Sequence, residues 1–307
     1  MKYIGIQSQI WKNNINSTLM MIGFPFLLLG MVYLLLMFTI DRETQSPEAL
    51  FVQIAPFIIL ATVIWFVIAW FFNTAIIRQA TGARPLERKE NKRVYNLVEN
   101  LCIANGLKMP AINIIEDDSL NAFASGINEK SFTISLSRGI INKLDDDELE
   151  GVIGHELTHI RNRDVRLLVV SIIFVGIFSF IAGMVFRTIR FGSFGNRGKN
   201  NAPVILIALV ISGIAYFISL LLRFGISRSR EYMADAGSAE MTRRPYALAS
   251  ALRKISADPF IEAVRNRDVS QLFIENPQIE KKEFSIDRVF ATHPPIEKRI
   301  ALLDQFV

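Results

Sequence analysis

Cysteine and histidine are scarce in this sequence of 307 residues, which has one cysteine and three histidines. The single Cys102 excludes an internal disulfide and agrees with a reducing compartment. Acidic residues are also fewer than basic ones, 29 against 34, so the formal net charge is +5. The basic residues cluster near hydrophobic stretches. They therefore favour contact with a membrane surface, and we expect no binding to nucleic acid.

Charge is absent from two long apolar runs near the start of the chain. Leu19–Ile40 contains 22 residues without a charge, and a second run extends from Val52 to Phe72. Each run is long enough to cross a hydrocarbon core of about 30 Å. No small-residue cleavage site follows the first run, so we expect a retained transmembrane helix rather than a secretory signal.

The charges that flank these two runs predict their orientation. Lys2 and Lys12 precede the first run, and the segment Asp41–Leu50 between the runs carries three acids and one arginine. Residues 78–93, after the second run, contain six basic residues and two acids. The positive-inside rule therefore places both ends of this hairpin, and the segment that follows it, in the cytoplasm.

Two of the three histidines form the pattern His-Glu-x-x-His at residues 155–159. On a helix, positions i and i+4 lie on the same face, so His155 and His159 can bind one metal ion. Glu156 would lie beside that ion, where its carboxylate can take a proton from water. With so few histidines, chance would produce this pattern in under about 1% of sequences. A zinc site is therefore favoured over a surface helix with two unrelated histidines.

Residues 85–164 are typical of a soluble α+β unit that contains this helix. Asp145 is a candidate N-cap with Glu148 as its capping-box partner. The other predicted helices and strands are Glu87–Asn105, Ala111–Glu116, Ala122–Ala124, Ser131–Leu136 and Arg138–Lys143. The segment that begins at Asn121 is either an exposed edge strand, able to bind an extended peptide by strand addition, or an ordinary core strand. The pattern alone does not choose between them.

Two further apolar runs, Leu167–Phe186 and Val204–Leu222, flank the basic, glycine-rich loop Arg187–Asn201. If this pair crosses the membrane twice, the basic loop lies outside, against the positive-inside rule. A hairpin that enters without crossing would avoid that conflict. Because each run is long enough to span, we expect two crossings and about four transmembrane helices in all. A continuous helix from His159 would place the metal roughly 12 Å before the third run.

A catalytic zinc site needs a third protein ligand, and the residue types alone do not identify it. His293 or any of the 29 acidic residues could serve. We expect Asp164 to be a structural hydrogen-bond partner rather than a ligand. Arg228 and Arg230 are expected to pair with carboxylates or lipid headgroups rather than to take part in chemistry.

Three separated motifs resemble those of the HtpX-type membrane zinc metalloproteases, gluzincin relatives of the CAAX prenyl-protein endoproteases. They are His-Glu-Leu-Thr-His at 155–159, Ser-Arg-Glu-Tyr-Met-Ala-Asp-Ala-Gly at 229–237 and Thr-His-Pro-Pro at 292–295. The likeness extends over nearly the whole chain. It implies that Glu231 is the third ligand of one Zn²⁺ ion per chain. It also implies that Asp235 orients a zinc-bound histidine through the free N–H of its ring.

The resemblance implies roles for four further residues. Glu156 would take the proton of the attacking water and pass it to the leaving amine. Asn121 and Ala122 would lie on an edge strand. Their backbone, together with the side-chain amide of Asn121, would hold the main chain of the substrate. His293 would stabilise the oxyanion of the tetrahedral intermediate, or it belongs to a structural motif that starts the next helix. Both possibilities stay open for His293.

The expected architecture is an α-helical membrane protein with a cytoplasmic α+β zincin-like catalytic domain. Residues 1–77 would form the N-terminal transmembrane hairpin and residues 167–222 the second hairpin. The catalytic domain would be split between residues 78–166, with the histidine motif, and residues 223–307, with the third zinc ligand.

The resemblance implies a zinc metalloendopeptidase in the cytoplasmic (inner) membrane of a bacterium. Its partners would be the lipid bilayer and polypeptide substrates, namely misfolded or damaged membrane proteins that quality control removes. One alternative is a CAAX-type endoprotease, but that relative usually has more spans. The other is a non-catalytic membrane scaffold that zinc stabilises. The presence of Glu156, which binds no metal in this scheme, argues against a scaffold.

Overall fold

The computed structural model describes residues 6–40, 43, 45–170, 210, 213–214, 229–256 and 294–306. The chain divides into two compact units. One comprises Met1–Ile15, Phe72–Val169 and Ile226–Val307, and the other comprises Asn16–Phe71 and Val170–Gly225. The predicted second hairpin lies almost entirely outside the described residues. The count of four membrane helices and the four predicted segment boundaries therefore stay predictions.

Two long apolar helices begin the chain, α1 (Ile6–Thr39) and α2 (Pro47–Thr81). The stretches Ile10–Phe38 and Pro47–Thr81 have mean hydropathies of 2.4 and 2.5 and are long enough to cross a membrane. This confirms that two helices near the start of the chain have the length and composition expected of membrane spans. Both helices are longer than the uncharged runs Leu19–Ile40 and Val52–Phe72 that predicted them.

A four-stranded mixed sheet, with strand order β1-β2-β4-β3, forms part of the unit that contains Phe72–Val169. Its strands are β1 (Ala83–Pro85), β2 (Ala111–Ile115), β3 (Ala122–Ser125) and β4 (Thr133–Ser137). β2 and β4 are parallel, whereas β1 and β3 run antiparallel to their neighbours and form the two edges. The three predicted strands are confirmed. The sequence pattern did not indicate β1, which has only three residues and ends in a proline.

Three helices lie between and after these strands: α3 (Lys92–Ala104), α4 (Arg138–Lys143) and α5 (Asp146–Arg161). The predicted capping box of α5 is present in both halves. The backbone N–H of Glu148 donates to Asp145 over 2.9 Å, and that of Asp145 donates to Glu148 over 3.0 Å. α5 therefore begins where its sequence indicates.

The expected continuous helix from His159 into the third apolar run is wrong. α5 ends at Arg161, and Arg163 adopts a left-handed backbone conformation with φ of 59°. Helical structure begins again over residues 164–170. A left-handed residue just after a helix ends it, because its peptide group can no longer continue the ladder of hydrogen bonds. The turn brings Asp164 back beside His159.

Three more helices complete the described part of this unit: α6 (Ser229–Thr242), α7 (Pro245–Ile255) and α8 (Ile296–Leu303). α5 packs against the sheet and against α6 and α7. Leu149, Val152 and Leu157 of α5 are fully buried in one hydrophobic core with Leu136 of β4 and Leu248 of α7. The histidine motif is therefore held on a helix that is enclosed on several sides.

Candidate metal centre

His155 and His159 of α5 and Glu231 of α6 bring their ligand atoms within 4.8 Å of one another. The Nε2 atoms of the two histidines are 3.2 Å apart. The carboxylate of Glu231 lies 3.6 Å from Nε2 of His155 and 3.4 Å from Nε2 of His159. The i, i+4 spacing on α5 puts both rings on one face of the helix. The approach of α6 brings the carboxylate to both.

Gly237 allows α6 to lie this close to α5. A Cβ atom at this position would be 2.4 Å from Cγ2 of Thr158 and 2.6 Å from its Oγ1. The hydroxyl of Ser238 also donates to the carbonyl of Gly151 on α5 over 2.6 Å. A close helix crossing of this kind requires a residue without a side chain at the contact. It positions Glu231, which lies earlier on α6.

Asp235 holds the ring of His155 from the side away from the metal ligands. Its Oδ1 lies 2.9 Å from Nδ1 of His155. Arg299 of α8, only 1% exposed, donates to the same carboxylate through Nε over 2.9 Å and Nη2 over 2.7 Å. Burial raises the pKa of Asp235, but the neighbouring Arg299 outweighs it, so the pKa is lowered. An ionised Asp235 can accept the Nδ1–H of His155.

Asp164 holds the ring of His159 in the same way. Its Oδ2 lies 3.0 Å from Nδ1 of His159. Burial lowers the pKa of His159, but the hydrogen bonds to Asp164 and Glu231 outweigh it and raise the pKa to about 10. Because the Nδ1 of each histidine faces a carboxylate, the neutral ring that binds a metal ion keeps its proton on Nδ1. Metal binding displaces any proton on Nε2, so both Nε2 atoms can serve as ligands.

This donor set suits a zinc ion. Two ligands about 2.0–2.1 Å from a tetrahedral ion lie about 3.3 Å from each other. The separations between Nε2 and carboxylate atoms here run from 3.2 to 3.6 Å. Two imidazole nitrogens and one carboxylate are also a donor set that zinc takes in hydrolytic sites.

Glu156 interacts electrostatically with the three candidate ligands and is not one of them. Its side chain is buried in the protein, and burial raises the pKa of its carboxyl group. Nearby His155 and His159 and the backbone N–H of Ala124 partly offset that rise in pKa. The contact with Ala124 places this carboxyl group next to the edge strand β3. A carboxylate with a raised pKa is suited to accept a proton near neutral pH.

Asn121 and Ala122 lie at the start of β3, the edge strand of the sheet. The strand has the expected edge position, but both residues are fully buried rather than exposed, because β3 packs against α5. Oδ1 of Asn121 accepts the backbone N–H of Ala122 over 3.0 Å. Their role in holding a substrate stays a prediction. His293 and Arg228 lie outside the described residues, so their roles also stay predictions.

Arg230 precedes the third candidate ligand on α6 and is buried. Its Nη1 lies 3.7 Å from Oδ1 of Asp164, so it pairs with a carboxylate, one of the two expected partners. Asp164 itself lies in hydrogen-bond contact with a histidine and outside the ligand group, as expected from the sequence.

The sequence patterns did not indicate a role at the metal centre for Arg299 or Asn13. Arg299 occupies a helix face with Ile296 and Leu303, so an arginine in an apolar stripe was an available signal for a buried ion pair. Asn13 donates from Nδ2 to Oδ1 of Asp164 over 2.6 Å. It lies in a polar stretch before the first apolar run, and no local pattern distinguishes it from the asparagines around it.

The sequence matches Peptidase family M48 over residues 88–307. It is 56% identical over 322 residues to "Protease HtpX homolog" of Bacteroides fragilis (strain YCH46), with the full length of both chains covered. It is 36% identical over 249 residues to "Protease HtpX homolog" of Tropheryma whipplei (strain Twist), over 81% of this chain and 84% of that relative.

Among solved structures, the chain is similar to the crystal structure of S. mikatae Ste24p. The TM-score is 0.48 and the sequence identity is 18%. The similarity covers 96% of this chain and 66% of the other, so the present chain spans just under two thirds of that protein.

Proposed function

Because the chain belongs to peptidase family M48 and is a membrane metallopeptidase, we propose that His155, His159 and Glu231 hold one zinc ion. The observation that carries this proposal is the convergence of the two Nε2 atoms and the Glu231 carboxylate, while Glu156 lies beside them. A metal site that only stabilised the fold would have no use for a buried carboxylate, that of Glu156, which lies near the ligands without being one of them.

The residues around the proposed ion have different roles in peptide hydrolysis. When bound, zinc supplies Lewis-acid polarisation of the scissile carbonyl and of the attacking water. Glu156 accepts the proton of that water and then donates it to the leaving amine. Asp235 and Asp164 keep the protons of the two histidines on Nδ1, so that both rings stay in the orientation that binds metal.

The substrate is proposed to be an extended segment of a polypeptide that lies along β3. Ala122 begins this strand, Asn121 directly precedes it, and Ala124 contacts the proposed base. Main-chain hydrogen bonds to an edge strand bind a peptide with little dependence on its sequence. That breadth suits the removal of misfolded or damaged membrane proteins. His293 is proposed to stabilise the oxyanion.

We place the chain in the cytoplasmic (inner) membrane of a bacterium with its catalytic domain in the cytoplasm. The support is the charge distribution around the first two apolar runs, acidic between them and basic outside. A quality-control protease on this side would meet membrane proteins as they are made and under stress.

A matched pair of substitutions on α5 tests the proposed reaction. Glu156→Gln keeps the size of the side chain but removes the base, so the purified protein should keep one zinc per chain and lose about 10²–10⁴-fold in cleavage rate. Glu150→Gln, on the same helix, is the control, because Glu150 lies near Arg244 and not among the ligands. It should keep both zinc and cleavage.

The assay uses a membrane-protein substrate and a prenylated peptide side by side, with zinc measured on the same samples. Removal of zinc by a chelator should stop cleavage in the parent, and added zinc should restore it. Cleavage by Glu156→Gln at the parent rate would refute the role of the base. Preference for the prenylated peptide would favour the CAAX-type alternative.

A further inference from the structure

Asn13 lies on α1 before the uncharged run Leu19–Ile40, and the residue is 2% exposed. Its Nδ2 donates to Oδ1 of Asp164 over 2.6 Å and to the carbonyl of Asn162 over 2.9 Å. We propose that Asn13 is a positioning residue of the metal centre, which acts on His159 through Asp164. The inference rests on the proposed zinc site.

The two oxygens of Asp164 serve two partners. Oδ2 contacts Nδ1 of His159 over 3.0 Å, and Oδ1 accepts the amide of Asn13. A carboxylate can turn about its own bond, so a donor that holds one oxygen also sets the direction of the other. The amide of Asn13 therefore determines how Oδ2 meets the imidazole. A metal ligand whose ring is held in this way loses affinity for its metal when the support is removed.

Asn13 also forms a hydrogen bond with the backbone close to Asp164. Asn162 is the C-cap of α5, and Arg163 has a left-handed conformation. Asp164 therefore follows a tight turn rather than lying on the helix that carries His159. Asn13 bonds to both ends of this turn, at the carbonyl of Asn162 and the carboxylate of Asp164. These two hydrogen bonds stabilise the turn, and they come from a residue that precedes Asn162 by 149 positions in the sequence.

The chemistry of an amide suits this position. Asp164 already has a buried cation, Arg230, with Nη1 at 3.7 Å from Oδ1. A second cation in place of Asn13 would draw the negative charge away from His159. A neutral amide orients the carboxylate and leaves that charge to the imidazole. α1 continues unbroken from Asn13 to Thr39, so one helix carries both a membrane-span candidate and a support of the metal site.

The test is a double-mutant cycle on zinc binding in the Glu156→Gln protein, which cannot digest itself if the proposed function holds. Asn13→Ala should speed zinc release to a chelator about 10–100-fold. In an Asp164→Ala background the same change should have almost no further effect, because the residue through which it acts is gone. Asn14→Ala is the control. Asn14 accepts a bond from Arg166 and is the neighbour of Asn13, so zinc release should be unchanged.

A second readout does not depend on affinity. With cobalt in place of zinc, the visible spectrum should shift in Asn13→Ala and Asp164→Ala, because the orientation of a ligand ring changes. Asn13→Leu, which has a side chain of similar size and no hydrogen-bond donor, should give the same direction of change and serves if Asn13→Ala does not fold.

The outcomes separate two failures. If Asn13→Ala speeds zinc release equally with and without Asp164, or leaves release and spectrum unchanged, Asn13 is only a packing residue and the inference is overturned. If the parent with all these residues binds no zinc, the proposed function itself fails and the inference fails with it.

Discussion

At the scale of single residues, the two candidate metal-binding histidines are supported by different chemistry. His155 faces Asp235, whose carboxylate is held by the guanidinium of Arg299. His159 faces Asp164, whose carboxylate receives the amide of Asn13. In both arrangements a carboxylate oxygen lies within hydrogen-bond distance of Nδ1. Each carboxylate also lies beside a buried cation, Arg299 at 2.7 Å from Asp235 and Arg230 at 3.7 Å from Asp164, and breaking either pair is costly because it leaves one charge without its partner.

Glu231 and Asp235 lie one helical turn apart on α6, and their removal should have different effects. Glu231→Gln replaces an anionic ligand with a weaker neutral one, so zinc should be lost on dialysis against a mild chelator. Asp235→Asn should keep zinc but lower affinity or activity about 10–100-fold. Metal analysis of the purified variants, together with a cleavage assay, measures both.

Glu240→Gln is the control for that comparison. Glu240 lies on the same helix and is exposed. In the described part of the chain it forms an ion pair with Arg161 at the surface. Its loss should change neither zinc content nor cleavage. Full zinc retention in Glu231→Gln would remove Glu231 from the ligand set and would require another third ligand.

At the scale of elements, the centre depends on how α6 packs against α5. Gly237 faces the side chain of Thr158 across this contact, and Gly154 faces Ser238. Thr158 also donates to the carbonyl of Gly154 within α5, so its side chain has little room to turn away. The spacing of these two helices therefore sets the distance between the histidines and Glu231.

Gly237→Ala should push the two helices apart, because its Cβ would meet Thr158 at 2.4 Å. Overpacking of this kind costs about 1–3 kcal/mol of stability. We expect a lower thermal midpoint and weaker zinc binding together, measured by thermal unfolding and chelator competition. Gly30→Ala is the matched control, because nothing lies within 4 Å of a Cβ atom there. Normal zinc affinity in a destabilised Gly237→Ala protein would show that the site tolerates the movement.

At the scale of the whole molecule, the proposed orientation rests on charges rather than on packing. A reporter that is active only in the cytoplasm should be active when fused to the C-terminus. It should be silent when inserted within Gln45–Ala49, which follows α1 and includes the start of α2. The physical reason is the excess of basic residues outside the first two apolar runs. An inactive C-terminal fusion in a protein that still cleaves its substrate would reverse the orientation.

Local patterns were sufficient for much of the fold. The spacing of His155 and His159, the capping box at Asp145 and the uncharged run from Leu19 each depend on residues close together in sequence. Helix periodicity, caps and hydropathy are short-range properties, so a sequence carries them directly. The end of α5 was missed because Arg163 adopts a left-handed conformation that is uncommon for its residue type.

The sequence by itself determined that two histidines share a helix face and that two apolar helices begin the chain. Only the tertiary structure decided which distant groups surround them. Arg299 meets Asp235 across 64 residues and Asn13 meets Asp164 across 151. Residue types cannot select such partners, since 29 acids are available and each contact depends on how whole helices pack. The close crossing at Gly237 is what turns separate motifs into one site.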